Sequence, residues 1–247
     1  MKAMIFAAGL GTRLRPLTDT IPKALVTIDD VPLLEIIIQR LQRCGVTGIL
    51  VNVHHLAEQV REFLHEKHSF GMNISVSDET EKLLDTGGGL KKAAWFFEDG
   101  EPFFVHNVDI LSDIDLHALY RFHAQQPQGL ATLAVTARPS TRSLLFDDRY
   151  ALYGWENRRT QEIKLARKCP AVRHSLAFSG IHVISPAIFR LMPEHDTFSI
   201  IDLYLQLAAT KQILAFEHDH RMWLDVGKLE NLPRAAEMLR HIMPCQG

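Results

Sequence analysis

The stretch that decides the fold is residues 2–25, KAMIFAAGLGTRLRPLTDTIPKAL. Residues 2–8 form a short apolar run that ends at a glycine, and this pattern predicts a buried strand. Residues 9–23 then combine two glycines, three basic residues and two prolines. Glycines let backbone amides approach a ligand closely, and the basic side chains add positive charge. A loop of this kind after a strand predicts a binding site for an anion.

The same stretch does not resemble a targeting segment. Its apolar run is too short for a secretory signal, because Arg13 and Arg15 follow at once. No later window approaches the roughly 18 apolar residues that a membrane span needs. The three cysteines (Cys44, Cys169 and Cys245) are widely spaced, which is typical of a reducing compartment. We therefore expect a cytoplasmic protein without a membrane partner.

The composition is that of a globular chain able to bury a large core. Of the 247 residues, 47% are hydrophobic, and 27 basic residues nearly balance 29 acidic ones, for a net charge of −2. Such a balance offers no overall field for nucleic acid, so we expect no nucleic-acid partner and only local anion recognition. His54-His55 and the pair His218 and His220 lack a third ligand at convincing spacing, which favours surface or structural roles.

Strands and helices alternate along the first part of the chain, which predicts a mostly parallel sheet with helices on both faces. Ligands are then expected at the carboxyl ends of the strands. Strands are predicted at 2–8, 48–53, 73–77, 102–106 and 130–137, and helices at 32–44, 56–66, 90–97 and 117–124.

The pattern changes in the second half. Residues 140–175 are polar and irregular and contain short alternating fragments, 150–155 and 162–165, which predict hairpins. A strand at 176–184 and helices near 186–191, 200–209 and 229–242 follow. With no long linker or internal repeat, we expect a single α/β domain over 1–247. Its halves are 1–137 and 138–247, and the second adds a small antiparallel lobe.

The glycine-rich loop fits neither common phosphate-binding fingerprint. Leu14 stands where a dinucleotide motif needs its third glycine, and no Gly-Lys-Ser/Thr closes a Walker loop. Arg13 offers a forked donor suited to phosphate oxygens, and Lys23 a compact charge able to reach a second phosphate. The loop therefore predicts phosphate binding of another kind.

Three further segments, in chain order, complete a recognisable pattern: 85–89 (DTGGG), 107–109 (NVD) and 223–227 (WLDVG). With the loop they resemble the signature of the sugar-1-phosphate nucleotidylyltransferases, over nearly the whole chain. The compact length, the glycine run and residues 178–181 (FSGI) are most similar to the N-acetylmuramate-1-phosphate uridylyltransferases of cell-wall recycling. Heptose- and mannose-1-phosphate guanylyltransferases resemble the sequence almost as closely. The resemblance implies a Rossmann-like nucleotidyltransferase fold.

The implied reaction is an attack of a sugar-1-phosphate oxygen on the α-phosphorus of a nucleoside triphosphate, with release of pyrophosphate. A phosphate monoester is largely dianionic near pH 7, since its second pKa is about 6, so no general base is required. The resemblance makes Arg13, Lys23 and Asp109 catalytic. It makes Asp109 and Asp225 the ligands of Mg²⁺, a cation that prefers oxygen donors.

The remaining site residues also come from the resemblance or from the loops that it marks. For the nucleotide they are Ala8, Gly9, Gly11, Thr12, Arg13, Lys23, Glu79 and Gly88. For the sugar they are Asn107, Gly180 and Asp202, although Gly180 is equally interpreted as an ordinary strand glycine. For Asp202, an acidic residue at a helix start is the favoured interpretation.

Two departures from the family pattern leave the substrates open. Val108 replaces a frequent glycine beside Asp109, and the Glu-Lys-Pro element that often contacts the sugar is not visible; Glu156, Lys164 and Lys168 are the available substitutes. Glu79 could accept two hydrogen bonds from guanine, whereas the overall resemblance favours UTP. We predict UTP and N-acetylmuramate 1-phosphate, with a GTP-dependent guanylyltransferase as the alternative.

Two other classes of function remain as alternatives. A non-catalytic nucleotide-sugar-binding regulatory subunit would have lost the charged positions, all of which are present. A glycosyltransferase would need an Asp-x-Asp motif, and Asp113-Ile114-Asp115 fits that pattern, but its position favours a helix start. Oligomeric state is not predictable from these features.

Overall fold

The computed structural model describes residues 1–168, 174–218 and 222–242. The strands are β1 Lys2–Phe6, β2 Thr27–Ile28, β3 Val31–Pro32, β4 Gly48–Val53, β5 Asn73–Asp78, β6 Phe103–Asn107, β7 Ile110–Ser112, β8 Gly129–Thr136, β9 Arg142–Phe146, β10 Leu152–Asn157, β11 Glu162–Leu165, β12 His174–Ile184, β13 Gln212–Glu217 and β14 Trp223–Asp225. The α-helices are α1 Leu33–Arg43, α2 Ala57–Glu66, α3 Asp85–Lys92, α4 Leu116–Ala124, α5 Ile200–Leu207 and α6 Leu232–Ile242. No helix in these ranges is both long and apolar enough to span a membrane.

The chain forms two compact units whose segments alternate along the sequence. Unit 1 comprises Met1–Leu83, Val105–Ile114 and the described part of 221–247. Unit 2 comprises Leu84–Phe104 and the described part of 115–220. The predicted division at residue 137 coincides with no boundary of these units, and the single-domain assignment stays a prediction.

Unit 1 is built on the parallel strands β1, β4 and β5, which lie in the order β1–β4–β5. β1 pairs in parallel with β4, and β4 with β5, with Lys2 opposite Gly48 and Gly48 opposite Asn73. Every residue of β4 is buried, which explains its continuous apolar sequence. α1 buries six apolar side chains: Leu33, Leu34, Ile36, Ile37, Ile38 and Leu41. The predicted βαβ arrangement is confirmed here.

Unit 2 contains the antiparallel part of the fold. β8 is buried throughout, pairs antiparallel with β12 and parallel with β13. The order β11–β10–β9–β12 continues as antiparallel pairs. The antiparallel lobe predicted for the second half is therefore present, and its last hairpin strand, β11, is exposed at every residue.

The helix predicted at 90–97 is confirmed only in part, because the α-helix begins at residue 85 and ends at residue 92. Residues 85–92 form α3, and a short 3-10 segment follows at Ala94–Phe97. Glycine has low intrinsic helix propensity, so a glycine run argues against a helix from local preference alone. Close packing, described below, overrides that preference.

Candidate active site

The glycine-rich loop folds into a tight turn immediately after β1. Gly11 has a φ of +64°, and its carbonyl oxygen accepts hydrogen bonds from the Leu14 amide and the Thr18 hydroxyl, each at 2.8 Å. A Cβ atom at residue 11 would lie 2.7 Å from a methyl carbon of Thr18. Glycine therefore suits this position, because it has no Cβ and readily adopts a positive φ. Arg13, in the turn that follows, is half-exposed to solvent.

Two short strands bring the predicted metal ligands together. β7 pairs antiparallel with β14, so that Asp225 lies opposite Ile110. The Val226 amide donates a hydrogen bond of 2.8 Å to the carbonyl oxygen of Asp109. Asp109 and Asp225, far apart in sequence, are therefore held side by side within unit 1.

The two predicted cations contact these two carboxylates. Lys23 Nζ donates to Asp109 Oδ2, and both side chains are largely buried. Arg13 Nη1 lies 2.9 Å from Asp225 Oδ2, and Arg13 Nη2 lies 3.7 Å from Asp109 Oδ2. We call Arg13, Lys23, Asp109 and Asp225 the charge cluster; its positive and negative charges balance.

Gly227 lies at the centre of the charge cluster. A Cβ atom at this position would lie 2.7 Å from Arg13 Nη2 and 2.8 Å from both Asp109 Oδ2 and Asp225 Oδ1. The Gly227 amide also donates a 2.8 Å hydrogen bond to Asp225 Oδ1. The sequence places Gly227 in a family motif, but the site residues predicted from that motif omitted it.

Interactions within the charge cluster shift the pKa values of two members. Burial by itself would lower the pKa of Arg13, but the hydrogen bond to Asp225 and its charge raise that pKa above the ordinary value. Burial by itself would raise the pKa of Asp225. Hydrogen bonds from Arg13 and the Gly227 amide, with the charges of Arg13 and Lys23, hold that pKa below its ordinary value. Both groups are therefore charged at neutral pH.

The carboxylates of the charge cluster fit a hard divalent cation. Asp109 and Asp225 are brought side by side by the pairing of β7 with β14, and both offer carboxylate oxygens. Mg²⁺ commonly takes one or two carboxylates and completes its shell with phosphate oxygens and water. The described residues contain no group of three or more metal-ligating side chains. The two aspartates therefore suit a cation that shares its ligands with a phosphorylated substrate.

Glu79, the predicted base-reading residue, is buried in unit 1 and is only 1% exposed. Its Oε1 accepts a 2.7 Å hydrogen bond from Asn52 Nδ2, and Asn52 Oδ1 accepts one of 2.8 Å from the Ala7 amide. Asn52 thereby ties Glu79 to the residues that begin the loop. Asn52 was not among the predicted site residues, although an amide inside an apolar strand is a signal of a specific hydrogen-bonding role.

The other predicted residues of unit 1 occupy its surface and the strand ends. Ala8 is buried just before the loop, and Gly9 and Thr12 are exposed within it. Asn107 ends β6 and is partly exposed. Val108 is buried, and its φ is not positive, so the backbone at this position does not require a glycine. Nucleotide and sugar contacts of these residues stay predictions.

Gly88 is enclosed by protein in unit 2. A Cβ atom at Gly88 would lie 1.8 Å from the Asp196 carbonyl oxygen, and one at Gly87 would lie 2.3 Å from the Phe198 ring. Thr86 Oγ1 accepts a 3.0 Å hydrogen bond from the Ile200 amide at the start of α5. The glycine run therefore lets α3 pack against the segment before α5. A contact of Gly88 with base or ribose stays a prediction.

The two predicted sugar residues of unit 2 are not alike. Gly180 has a φ of +77° where the pairing of β12 with β8 shifts register, so it is not an ordinary strand glycine. Asp202 lies in the first turn of α5, as its favoured interpretation predicts, and also pairs with Lys164 at 3.1 Å. Both stay predicted sugar contacts.

The alternative motifs have structural roles. Asp115 Oδ1 accepts a 2.9 Å hydrogen bond from the Ala118 amide and caps α4, which confirms the helix-start interpretation of Asp-x-Asp. His54 hydrogen-bonds a backbone carbonyl at 2.7 Å, and His218 a serine hydroxyl at 2.8 Å. His220 lies outside the described residues.

Comparison with known families matches residues 2–146 to the nucleotidyl transferases. The chain belongs to this family. An N-acetylmuramate alpha-1-phosphate uridylyltransferase from Neisseria meningitidis is 31% identical, over 95% of this chain and 96% of its own. A UTP–glucose-1-phosphate uridylyltransferase from Synechocystis is 30% identical over 93% of this chain. A mannose-1-phosphate guanyltransferase beta-A from Xenopus laevis is 29% identical over 92% of this chain. The chain spans only 61% of the length of each of these last two relatives.

Solved structures agree with this assignment at the level of the fold. HddC from Yersinia pseudotuberculosis superposes with a TM-score of 0.76 at 23% identity, over 96% of this chain and 98% of its own. An inositol-1-phosphate CTP transferase from T. maritima superposes with a TM-score of 0.76 at 16% identity, over 98% of this chain and 96% of its own. The predicted α/β nucleotidyltransferase fold is confirmed. So is the prediction of an enzyme of the sugar-1-phosphate nucleotidylyltransferase family.

Proposed function

We propose that this protein transfers a nucleotidyl group from a nucleoside triphosphate to a sugar 1-phosphate and releases pyrophosphate. The observation that carries the proposal is the charge cluster beside the glycine-rich loop. Arg13, Asp109 and Asp225 converge over Gly227, which has no side chain, and Lys23 contacts Asp109. Such a site can hold several phosphate groups and a divalent cation together, which is the main requirement of this reaction.

The charge cluster supports a role for each cation. Arg13 is the more exposed and has a planar fork of donors, so it binds the β- and γ-phosphates that leave as pyrophosphate. Lys23 is a compact charge against Asp109 and serves the α-phosphate and the attacking sugar phosphate. Asp109 and Asp225 hold Mg²⁺, which supplies charge neutralisation to the phosphates when bound. Because the attacking phosphate is already anionic, no residue is assigned as general base.

For the substrates we propose UTP and N-acetylmuramate 1-phosphate. The support is the Neisseria meningitidis relative, which matches this chain over almost the full length of both. A guanylyltransferase that uses GTP is the alternative. For that alternative Glu79 is the predicted base reader, since guanine offers two adjacent donors to a carboxylate and uracil offers one. Its 1% exposure and its hydrogen bond from Asn52 argue against direct contact with a base. A mismatched buried polar group costs about 1–3 kcal/mol, enough to decide between the bases.

The test is pyrophosphate release, measured with UTP and with GTP across a panel of sugar 1-phosphates. We expect release that depends on both substrates and that is fastest with UTP. Asp225→Asn should fold normally but lose at least about a hundredfold in rate, the scale for one transition-state stabiliser. Asp148→Asn, an exposed aspartate of unit 2, is the matched control.

Other outcomes distinguish the alternatives. Binding of nucleotide sugar without pyrophosphate release would indicate a regulatory subunit and contradict the proposal. A GTP preference that disappears in Glu79→Gln, but not in Glu81→Gln, would establish the guanylyl alternative and Glu79 as the base reader. Wild-type turnover in Asp225→Asn would remove this aspartate from the site.

A further inference from the structure

Asn52 lies between the ends of two strands at the carboxyl edge of the unit 1 sheet. Within β4 it is paired with Phe6, the last residue of β1, on one side and with Ser77 of β5 on the other. The residue is only 3% exposed, so the polar atoms of its amide need partners inside the protein. An asparagine amide has both an acceptor oxygen and a donor nitrogen, and here each contacts a segment that leaves the sheet.

On one side the amide holds the start of the glycine-rich loop. β1 ends at Phe6, and the next amide, that of Ala7, donates a hydrogen bond of 2.8 Å to Asn52 Oδ1. Ala7 lies two residues before Gly9, where the exposed part of the loop begins. A buried hydrogen bond at this point fixes the direction in which the loop leaves the sheet.

On the other side the amide is anchored by Glu79. Asn52 Nδ2 donates a hydrogen bond of 2.7 Å to Glu79 Oε1. The main chain of Glu79 is also fixed, because its amide donates to the Val53 carbonyl oxygen and its carbonyl oxygen accepts from His54 Nδ1, each at 2.7 Å. Three consecutive residues, 52–54, therefore hold residue 79. Glu79 in turn fixes which way the Asn52 amide faces.

We propose that Asn52 is a positioning residue for nucleotidyl transfer, and that its two hydrogen bonds preorganise the glycine-rich loop for the triphosphate. The inference rests on the proposed function, in which this loop binds the triphosphate. Asn52 acts without touching substrate: Glu79 orients its amide, and the amide oxygen holds Ala7. A loop that is already held in its binding conformation loses less entropy when the ligand binds, so the triphosphate binds more tightly.

The test exchanges donor and acceptor between Asn52 and Glu79. Asn52→Asp keeps an acceptor for the Ala7 amide but removes the donor to Glu79, so the side chain at residue 52 loses its anchor. Addition of Glu79→Gln supplies an amide that donates to the new carboxylate. The double variant therefore regains both hydrogen bonds and has the net charge of wild type. Asn73→Asp, at the exposed first residue of β5, is the matched control.

Calorimetry gives the dissociation constants of UTP and of GTP, each with Mg²⁺ and without acceptor, and the tighter ligand of wild type is followed through the variants. Asn52→Asp should raise its dissociation constant and its KM about tenfold, the scale of one lost hydrogen bond. In the Glu79→Gln background the same substitution should have little effect on either quantity. Asn73→Asp should bind the triphosphate as wild type does.

A purely structural role for Asn52 gives a different result. It would lower the Tm and the fraction of folded protein but would leave the dissociation constant per folded molecule unchanged. Where Asn52→Asp does not fold, Asn52→Ala removes both hydrogen bonds without adding a charge and should weaken triphosphate binding by a similar factor. Equal dissociation constants in wild type and the folded Asn52 variant would overturn the inference. So would a loss in Asn52→Asp that Glu79→Gln does not reduce.

Calorimetry also separates this inference from the proposed function, because binding requires no turnover. Binding that is lost in Asn52→Asp and regained in the double variant, without pyrophosphate release by wild type, would support the role of Asn52 and contradict the reaction. Pyrophosphate release by wild type, with equal dissociation constants in all variants, would support the reaction and overturn the role of Asn52.

Discussion

At the residue scale, the candidate site depends on the absence of a side chain as much as on the charges present. Three charged atoms from separate parts of unit 1 lie within 2.8 Å of where a Cβ of residue 227 would be. All three are ends of side chains, whereas the Cβ would be rigidly attached to the backbone. An added methyl group would therefore displace the charges and leave the backbone largely in place.

We therefore predict that Gly227→Ala folds with near-native stability but loses at least about a hundredfold in kcat, the scale for a displaced transition-state stabiliser. Steady-state kinetics with thermal unfolding checks both parts. Lys228→Ala, at the next position and half-exposed, is the control. Full activity in Gly227→Ala would mean that the charge cluster rearranges freely and that its geometry is not essential.

At the element scale, short strands are held in place by buried polar contacts from longer helices. Arg40 of α1 donates hydrogen bonds to Ser112 Oγ at 2.8 Å, at the end of β7, and to the Ile114 carbonyl at 2.6 Å. Burial lowers the pKa of Arg40 to about 10, and it stays charged at neutral pH. The three-residue strand that pairs with β14 is thereby anchored to a helix of eleven residues.

Helix α4 is also held by buried hydrogen bonds, and these make its packing depend on pH. His123 lies 2.9 Å from both Thr132 Oγ1 on β8 and Ser185 Oγ. Burial lowers the pKa of His123 to about 4. Since the unfolded chain takes up this proton near pH 6.5, the free energy of unfolding is highest above that pH and falls toward pH 4.

We predict that wild type loses roughly 2 kcal/mol more unfolding free energy between pH 7.5 and pH 5 than His123→Gln does. Urea unfolding at the two pH values measures the change in unfolding free energy of each protein. Subtracting the change in His123→Gln from that in wild type removes the contributions of the other histidines. His55→Gln, an exposed histidine, should behave as wild type. Equal pH dependence in wild type and His123→Gln would contradict the assignment.

At the scale of the whole molecule, anion binding must come from a few residues. The net charge of −2 attracts no anion over a long distance. The two pairs of opposite charges in unit 1 are the features able to bind anions in the proposed reaction. Stabilisation by a triphosphate should therefore be specific and should depend on the charge cluster.

We predict that UTP with Mg²⁺, at about a hundred times the dissociation constant, adds about 2.7 kcal/mol to the unfolding free energy. For a chain of this size the Tm should rise by roughly 5–10 °C. The shift should shrink strongly in Lys23→Ala and should be absent with sulfate at equal ionic strength. An equal shift with sulfate would indicate general screening and contradict a specific site.

Most of the regular elements were predictable because local pattern and burial agree. The strand at 48–53 and the hairpin fragment at 162–165 have their predicted bounds, and α1 differs by one residue at each end. β7 and β14 were missed because three residues are too few to show a periodicity. The first part of α3, residues 85–89, was missed because its glycines are required by close packing, which no local preference reports.

The sequence by itself determined the α/β class, the family and the residue types of the charge cluster, because periodicity and motif spacing are local properties. Only the tertiary structure decided that Arg13 and Lys23 lie on Asp109 and Asp225, that Gly227 leaves room for them, and that Asn52 holds Glu79. The physical reason is that these contacts join distant segments. Which segments meet depends on strand pairing and core packing, and neither is written in any short stretch of chain.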